Sequence, residues 1–179
     1  MRIGILGSGL MGAKLGTIWA RAGHEVVFSY ARSKQKLQKL AREAQGNAQA
    51  GTPGEAAREA NALLLAVHWS RVDDVLKQAG DVSGKVIVSC SLPMNADDTD
   101  LVIAHTSSGA EALAKKVPKA RVVSAFGTVP SEVLFGVFAA KRKASRPSLV
   151  YCGDNESSKA VAALELSLSP QYKIGRAHV

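Results

Sequence analysis

Residues 1–12 read MRIGILGSGLMG, and the reading of this stretch decides the fold. Ile3–Leu6 is a short apolar run of strand length. Glycines follow at positions 7, 9 and 12. Leu10–Ala22 then carries apolar residues at helical spacing, and Gly23–His24 turns the chain. A plain turn needs one or two glycines. A strand–turn–helix that cradles a dinucleotide needs three. The first permits the tight turn, the second lets backbone approach a pyrophosphate, and the third lets the helix pack on the strand. The helix N-terminus would add unpaired N–H groups and the positive end of its dipole.

A GxGxxG alone is a weak signal, so the remainder of the chain has to supply its setting. Glu25–Ser29 (EVVFS) is a β-rich run. Ser33–Gln45 is helix-prone, with Leu37, Leu40 and Ala41 as its apolar stripe and Gly46 as its stop. Thr52-Pro53-Gly54-Glu55 reads as a capping box. Ala62–Val67 (ALLLAV) is wholly apolar, as in a strand buried on both faces. Arg71–Ala79 reads as helix, Lys85–Cys90 (KVIVSC) as strand, and Ser108-Gly109-Ala110-Glu111 as a second capping box. Arg121–Phe126 and Ser148–Cys152 read as strands, with Asp154 as N-cap of a last helix. Pro130 and Lys141–Pro147 mark the longest loop region. The alternation predicts an α/β fold of Rossmann type, with a doubly wound, mostly parallel sheet and helices on both faces. In that setting the glycines predict dinucleotide binding.

The 179 residues suit one domain, and 46% of them are hydrophobic without any run long enough to span a membrane. The N-terminal apolar stretch is broken by Gly4, Gly7, Ser8 and Gly9, so it reads as a strand and turn, not a signal peptide. Cys90 and Cys152 lie far apart without CxxC spacing, which fits a cytoplasmic protein. His24, His68, His105 and His178 are scattered, and no metal site is expected. The formal charge of +8 is spread over several segments with no nucleic-acid motif. It reads as a basic surface that attracts an anionic ligand.

The second strand indicates which dinucleotide. NAD sites place an acid at its end, on the ribose 2′-hydroxyl. Here the chain continues Ser29-Tyr30-Ala31-Arg32-Ser33-Lys34, and the next acid is Glu43. Arg32, with Lys34 and Lys36 close by, suits a 2′-phosphate and therefore NADP. Trp69, at the end of the ALLLAV strand, would either flank the cofactor or cap the core. His68 has no carboxylate neighbour in sequence and is not expected to act as an acid or base. Thr106–Ser108 reads as a helix cap. Lys141-Arg142-Lys143 reads as a solvated loop, with a second anionic ligand as the alternative.

These segments resemble the deazaflavin-dependent NADP reductases, which pass hydride between NADP and coenzyme F420. The matching stretches are IGILGSGLMG, AGHEVVFSYAR, LLLAVHWSRVDDVL, GKVIVSC, ARVVSAFGTVPSEVL and VYCGDNESSKAV, which extend to about Ala163. The first two are shared with β-hydroxyacid dehydrogenases, imine reductases and pyrroline-carboxylate reductases. SAFGTVPSEV and CGDNESSK discriminate better. The same domain type also resembles the cytosolic part of certain membrane ferric reductases.

The resemblance implies a cofactor site. Ser8, Gly9, Leu10 and Met11 would cradle the pyrophosphate, beside Gly7 and Gly12. Arg32, with Tyr30 or Ala31, would meet the 2′-phosphate. Val67, His68 and Trp69 would line the path to the nicotinamide. Leu92, Pro93 and Thr128–Ser131 would sit near the nicotinamide and the second ligand. It further implies a small-molecule redox partner, a homodimeric full-length protein and direct hydride transfer without an essential catalytic side chain. Two departures bear on hydride transfer more than on NADP binding. The family commonly has Pro where this chain has His68, and Asn or His where it has Gly127.

The NADP-binding domain is expected over residues 1–168. Leu164–Lys173 fit the family poorly. Ile174–Val179 back-translates as ATC GGA AGA GCA CAC GTC, a common sequencing adapter, so 169–179 is expected to be a truncated end with a non-native tail. Other NADP-dependent reductases, acting on an imine, a hydroxy acid or a flavin or ferric acceptor, and a non-catalytic NADP sensor are the competing readings.

Overall fold

The computed structural model describes residues 1–140, 148–164 and 174–176. The strands are β1 (Arg2–Leu6), β2 (Glu25–Ser29), β3 (Ala48–Ala50), β4 (Ala62–Leu65), β5 (Val86–Ser89), β6 (Arg121–Ala125), β7 (Leu149–Cys152) and β8 (Ile174–Arg176). The helices are α1 (Leu10–Arg21), α2 (Lys34–Ala44), α3 (Pro53–Arg58), α4 (Val72–Ala79), α5 (Gly109–Lys116), α6 (Leu134–Ala139) and α7 (Glu156–Leu164). They build one sheet of order β3-β2-β1-β4-β5-β6-β7-β8. β1 to β6 are parallel throughout, β7 runs antiparallel to β6, and β8 lies parallel to β7. This is the doubly wound Rossmann-type sheet that the alternation predicts.

Side-chain alternation explains why both faces need covering. Ile3, Ile5, Val26, Phe28, Leu64 and Val88 point to one face and pack with Leu15, Ile18 and Trp19 of α1. Leu6, Val27, Leu63, Leu65 and Ile87 point to the other, against Ala56 and Ala57 of α3, Val72 and Val75 of α4 and Leu113 of α5. Ile3, Ile5, Leu63, Leu64, Leu65 and Ile87 are fully buried, each contributing about 2 kcal/mol relative to exposure. Gly4 is the exception on β1. A Cβ there would lie 2.3 Å from the Ala56 carbonyl oxygen, so its bareness lets α3 lie directly on the strand.

Local signals set most helix ends. Ser33 caps α2 by accepting from the Lys36 N–H at 3.2 Å. Gln45 and Gly46, both at positive φ, stop it. Both predicted capping boxes form, Thr52 with Glu55 and Ser108 with Glu111. Three readings change. The Oδ1 of Asn155, not Asp154, caps α7 by accepting from the Ser158 N–H at 2.9 Å. Ala48–Ala50 forms β3 where no strand is predicted. Pro130 leads not into a long loop but into a 3-10 turn, Ser131–Val133, and then α6. Residues 90–108 make the longest connection among the described residues. Lys141–Pro147 lie outside the described residues, as does most of the 169–179 segment.

Candidate functional site

In an open parallel sheet the ligand crevice lies beyond the C-terminal strand ends, where the strand order reverses. Here that switch point falls between β1 and β4, the two neighbours whose following helices cover opposite faces. The loops after β1, β2, β4, β5 and β6 therefore share one edge, and every sequence-predicted site residue lies on them or on the first turns of α1 and α2.

The three glycines have three separate reasons. Gly7 adopts φ +113°, and a Cβ would meet the Ala66 carbonyl oxygen at 2.4 Å. A Cβ on Gly12 would lie 1.9 Å from the Gly7 oxygen, so only glycine lets α1 close on its own loop. Around a Cβ on Gly9 there is nothing within 4 Å. That bare position faces open space, as the close approach of a ligand requires. Gly16 extends the pattern one helical turn: its Cβ would meet the Phe28 ring at 2.3 Å.

Ser8 is not a free donor. Its hydroxyl donates to the Ser29 carbonyl at 2.8 Å and its N–H to the Tyr30 carbonyl at 3.2 Å. The open donors are instead the N–H groups of Leu10, Met11 and Gly12. The first helical bond of α1 runs from Ala13 N–H to the Gly9 oxygen, and Gly9 brings no side-chain cap. Those three groups point out of the helix start with no acid in the first turn.

At the β2 exit Tyr30 takes φ 56°, a conformation uncommon for an aromatic residue. Its hydroxyl donates to Asp74 Oδ2 of α4 at 2.5 Å. Partial burial and this carboxylate hold the phenol above its usual range, and the same bond holds Asp74 below the usual carboxylate range. An acid thus does reach this exit, though from another element. It is engaged by Tyr30 and by Gln78 Nε2 at 3.1 Å. Arg32 is exposed and makes no hydrogen bond or ion pair with any described residue. Lys36 is exposed as well, one turn into α2. Ala31 packs partly on the α1-side core.

At the β4 exit Val67 and Trp69 pack on the α4-side core, which favours the core-capping alternative for Trp69. His68 does find a carboxylate, although sequence shows none nearby. Its Nε2 lies 3.1 Å from Asp98 Oδ1 and 3.0 Å from the Asn95 carbonyl oxygen. At the β5 exit, burial pushes the Cys90 thiol up to about 12, so it is not a thiolate nucleophile at neutral pH. Leu92 is 52% exposed, and its Cδ2 would lie 3.3 Å from a Cβ on Gly127. Pro93 packs on Gly109 at the start of α5.

Ser131 is 8% exposed and its polar atoms are occupied. Lys14 Nζ donates to its carbonyl at 3.0 Å and to its hydroxyl at 3.3 Å, and the hydroxyl donates to Glu132 Oε1 at 2.9 Å. Ser131 therefore fixes the β6 exit to α1 and offers little to a ligand. Lys14 is the residue that sequence reading missed. Its only signal is a lysine two positions after the third glycine in a mostly apolar helix. Among the described residues no three His, Cys, Asp or Glu side chains gather as a metal would require, and no helix is long and apolar enough to cross a membrane.

Sheet order, glycine loop and open helix start together define a dinucleotide-binding Rossmann-type domain. Within that class, residues 2–93 match the family described as NADP oxidoreductase, coenzyme F420-dependent, and the chain belongs to this NADP-dependent oxidoreductase family. The fold is similar to the crystal structure of a candidate F420 dependent NADP-reductase from Arthrobacter sp. FB24, at TM-score 0.82 and 22% identity over 98% of this chain and 84% of that one. It is similar also to Plasmodium falciparum pyrroline carboxylate reductase with NADP bound, at TM-score 0.64 and 16% identity over 99% and 58% of the two chains. A reductive aminase from Aspergillus terreus in complex with NADPH matches at TM-score 0.67 and 19% identity, over 98% and 54%.

Proposed function

We propose that this chain binds NADP(H) across the β1–β4 switch point and exchanges hydride with a deazaflavin of the coenzyme F420 type. One observation carries the cofactor half: bare Gly9 and the unpaired N–H groups of Leu10, Met11 and Gly12 stand on the same edge as the unengaged Arg32. The fit is chemical. The glycine loop leaves room where a Cβ would obstruct a pyrophosphate, and the N–H groups suit its oxygens. The Arg32 guanidinium suits a 2′-phosphate. Asp74, an acid that reaches the β2 exit, already accepts from Tyr30 and Gln78.

The family resemblance supports the deazaflavin. NADP(H) supplies hydride chemistry at its nicotinamide carbon. The work left to these side chains is placement: Leu92, Pro93 and the β6 exit shape the face on which an acceptor ring would lie. Within this crevice His68 is engaged by Ser70, Asn95 and Asp98, and Cys90 is held as a thiol, so neither is assigned proton transfer. Gly127 leaves the acceptor face open above Leu92, which is the observation that keeps other acceptors, imines among them, as the second reading.

The test has two stages. NADPH is expected to bind far more tightly than NADH, and Arg32→Ala should weaken NADPH by roughly ten- to a hundredfold, the worth of a hydrogen bond to a charged group, while leaving NADH unchanged. Then NADPH oxidation is followed on adding F420 or, separately, a cyclic imine. Turnover with the imine alone would replace the deazaflavin reading. Equal binding of NADH and NADPH would remove the cofactor assignment.

A further inference from the structure

His68 links two parts of the crevice edge that are distant in sequence. The Ser70 N–H donates to its Nδ1 at 3.2 Å, and the Ser70 hydroxyl lies 2.8 Å from the same atom. Nδ1 is therefore an acceptor, which assigns the ring proton to Nε2. Nε2–H then points at two acceptors on the connection after β5, the Asn95 carbonyl at 3.0 Å and Asp98 Oδ1 at 3.1 Å.

Those acceptors belong to a pre-formed unit. Asn95 Oδ1 accepts from the Thr99 N–H at 2.9 Å and the Asp100 N–H at 3.3 Å, while its Nδ2 donates to Thr99 Oγ1 at 2.9 Å. The Val102 N–H closes the base of the unit on the Pro93 carbonyl at 2.8 Å, and Met94 pairs with Leu101. Residues 93–102 thus form one internally hydrogen-bonded unit. Leu92 and Pro93 lead into it, on the half of the crevice away from the glycine loop and Arg32.

We propose that His68 is a positioning residue for the nicotinamide end of the site: by pinning the 93–102 loop to the β4 exit it holds Leu92 and Pro93 where that end of the dinucleotide lies. The inference rests on the NADP reading. It makes a distinction that a general stabilising role would not. The adenosine end is built from β1, β2 and their loops, which the 93–102 unit does not touch through His68. Loss of the link should therefore weaken the whole dinucleotide and spare its adenosine half.

The experiment compares binding of NADPH with binding of adenosine 2′,5′-bisphosphate by calorimetry, for the wild-type chain, His68→Ala, His68→Gln and Asp98→Gly. Glycine at 98 removes the carboxylate and suits the positive φ of 55° there. His68→Ala is expected to bind the bisphosphate like wild type and NADPH about fivefold more weakly, the scale of a lost hydrogen bond. Asp98→Gly should shift NADPH in the same direction by about twofold, since the Asn95 carbonyl remains. His68→Gln, which keeps an N–H donor, should recover most of the loss. Equal weakening of both probes, or unchanged NADPH binding, overturns the proposal. If His68→Ala does not fold, Asp98→Gly decides by the same criterion. A wild-type chain that binds neither probe overturns the NADP reading and this inference with it, whereas bisphosphate binding without the split overturns the inference alone.

Discussion

The two halves of the crevice are built by different means. On the side proposed for the adenosine end, the β1–α1 and β2–α2 connections are short, residues 7–9 and 30–33. Their shape is dictated by what is missing: Gly7 and Gly12 sit where a Cβ would strike backbone. On the side proposed for the acceptor, residues 90–108 and 126–133 make longer connections, and their shape depends on what is present. His68 holds the 93–102 loop, and Lys14 on α1 holds the β6 exit through Ser131. Steric exclusion by backbone is unforgiving, whereas a hydrogen-bonded clamp costs about 1 kcal/mol to lose. The adenosine half should therefore fail abruptly on substitution and the acceptor half by degrees.

The harshest trial of that contrast is within the glycine loop. Gly12→Ala should destabilise the fold by about 3 kcal/mol through overpacking, read as a lowered urea midpoint. Gly9→Ala, with nothing within 4 Å of its Cβ, should leave stability within about 0.5 kcal/mol and weaken NADPH binding by about tenfold or more. A Gly12→Ala protein of normal stability would erase the distinction between the halves.

That contrast also explains what the sequence made legible. Gly7, Gly9 and Gly12, and the boxes Thr52–Glu55 and Ser108–Glu111, state their geometry within a few residues, so they can be read from the chain. The same holds for the apolar runs of β1, β2, β4 and β5, whose burial on both faces leaves no polar alternation. The pairs His68–Asp98 and Lys14–Ser131 join residues brought together only by the sheet, and no local pattern announces them. β3 (AQA) has no β-branched residue and is a strand because β2 offers it partners at Val26, Val27 and Phe28. α6 (LFGVFA) is short, apolar all round and interrupted by Gly136, so periodicity cannot separate helix from strand. The glycine loop's geometry was accordingly legible in the sequence, and the hydrogen-bonded clamps of the β5 and β6 exits were opaque. The polar atoms of Ser8 and Ser131 show a further limit, since residue type did not reveal that both are occupied.

A milder test addresses the acceptor side. Lys14→Met removes the donor to Ser131 while keeping most of the stem. It should raise the KM for F420 about fivefold, a lost hydrogen bond's worth, with NADPH affinity changed less than twofold. An unchanged KM would mean that the β6 exit keeps its shape without the clamp.

The smallest effect concerns a device the two halves share. Glu55 and Glu111 are held below the ordinary carboxylate value of 4.5, Glu55 chiefly by the Thr52 backbone N–H and Glu111 chiefly by Ser108. A depressed value in the folded state adds stability above the unfolded value, and that stability is lost as pH falls through the folded one. Glu55→Gln and Glu111→Gln should each lower the urea midpoint slightly at neutral pH, converge with wild type in acid, and so flatten its fall below about pH 4.5 to a similar extent. Unequal slopes would mean that even the caps differ between the halves.

The position of β1 has a consequence for how the molecule comes into being on the ribosome. β1 precedes both of its partners in the chain, and β2 can join it soon after it emerges. Its other neighbour, β4, pairs Ile3 with Ala62, so that flank stays uncovered until dozens more residues have been translated. During this interval an apolar strand presents a raw edge, the kind of surface that invites pairing with other nascent chains. The Ala66 carbonyl that walls in Gly7 arrives with β4 as well. The glycine turn is thus encoded next to β1 and takes its final shape only when the second half of the sheet lands beside it.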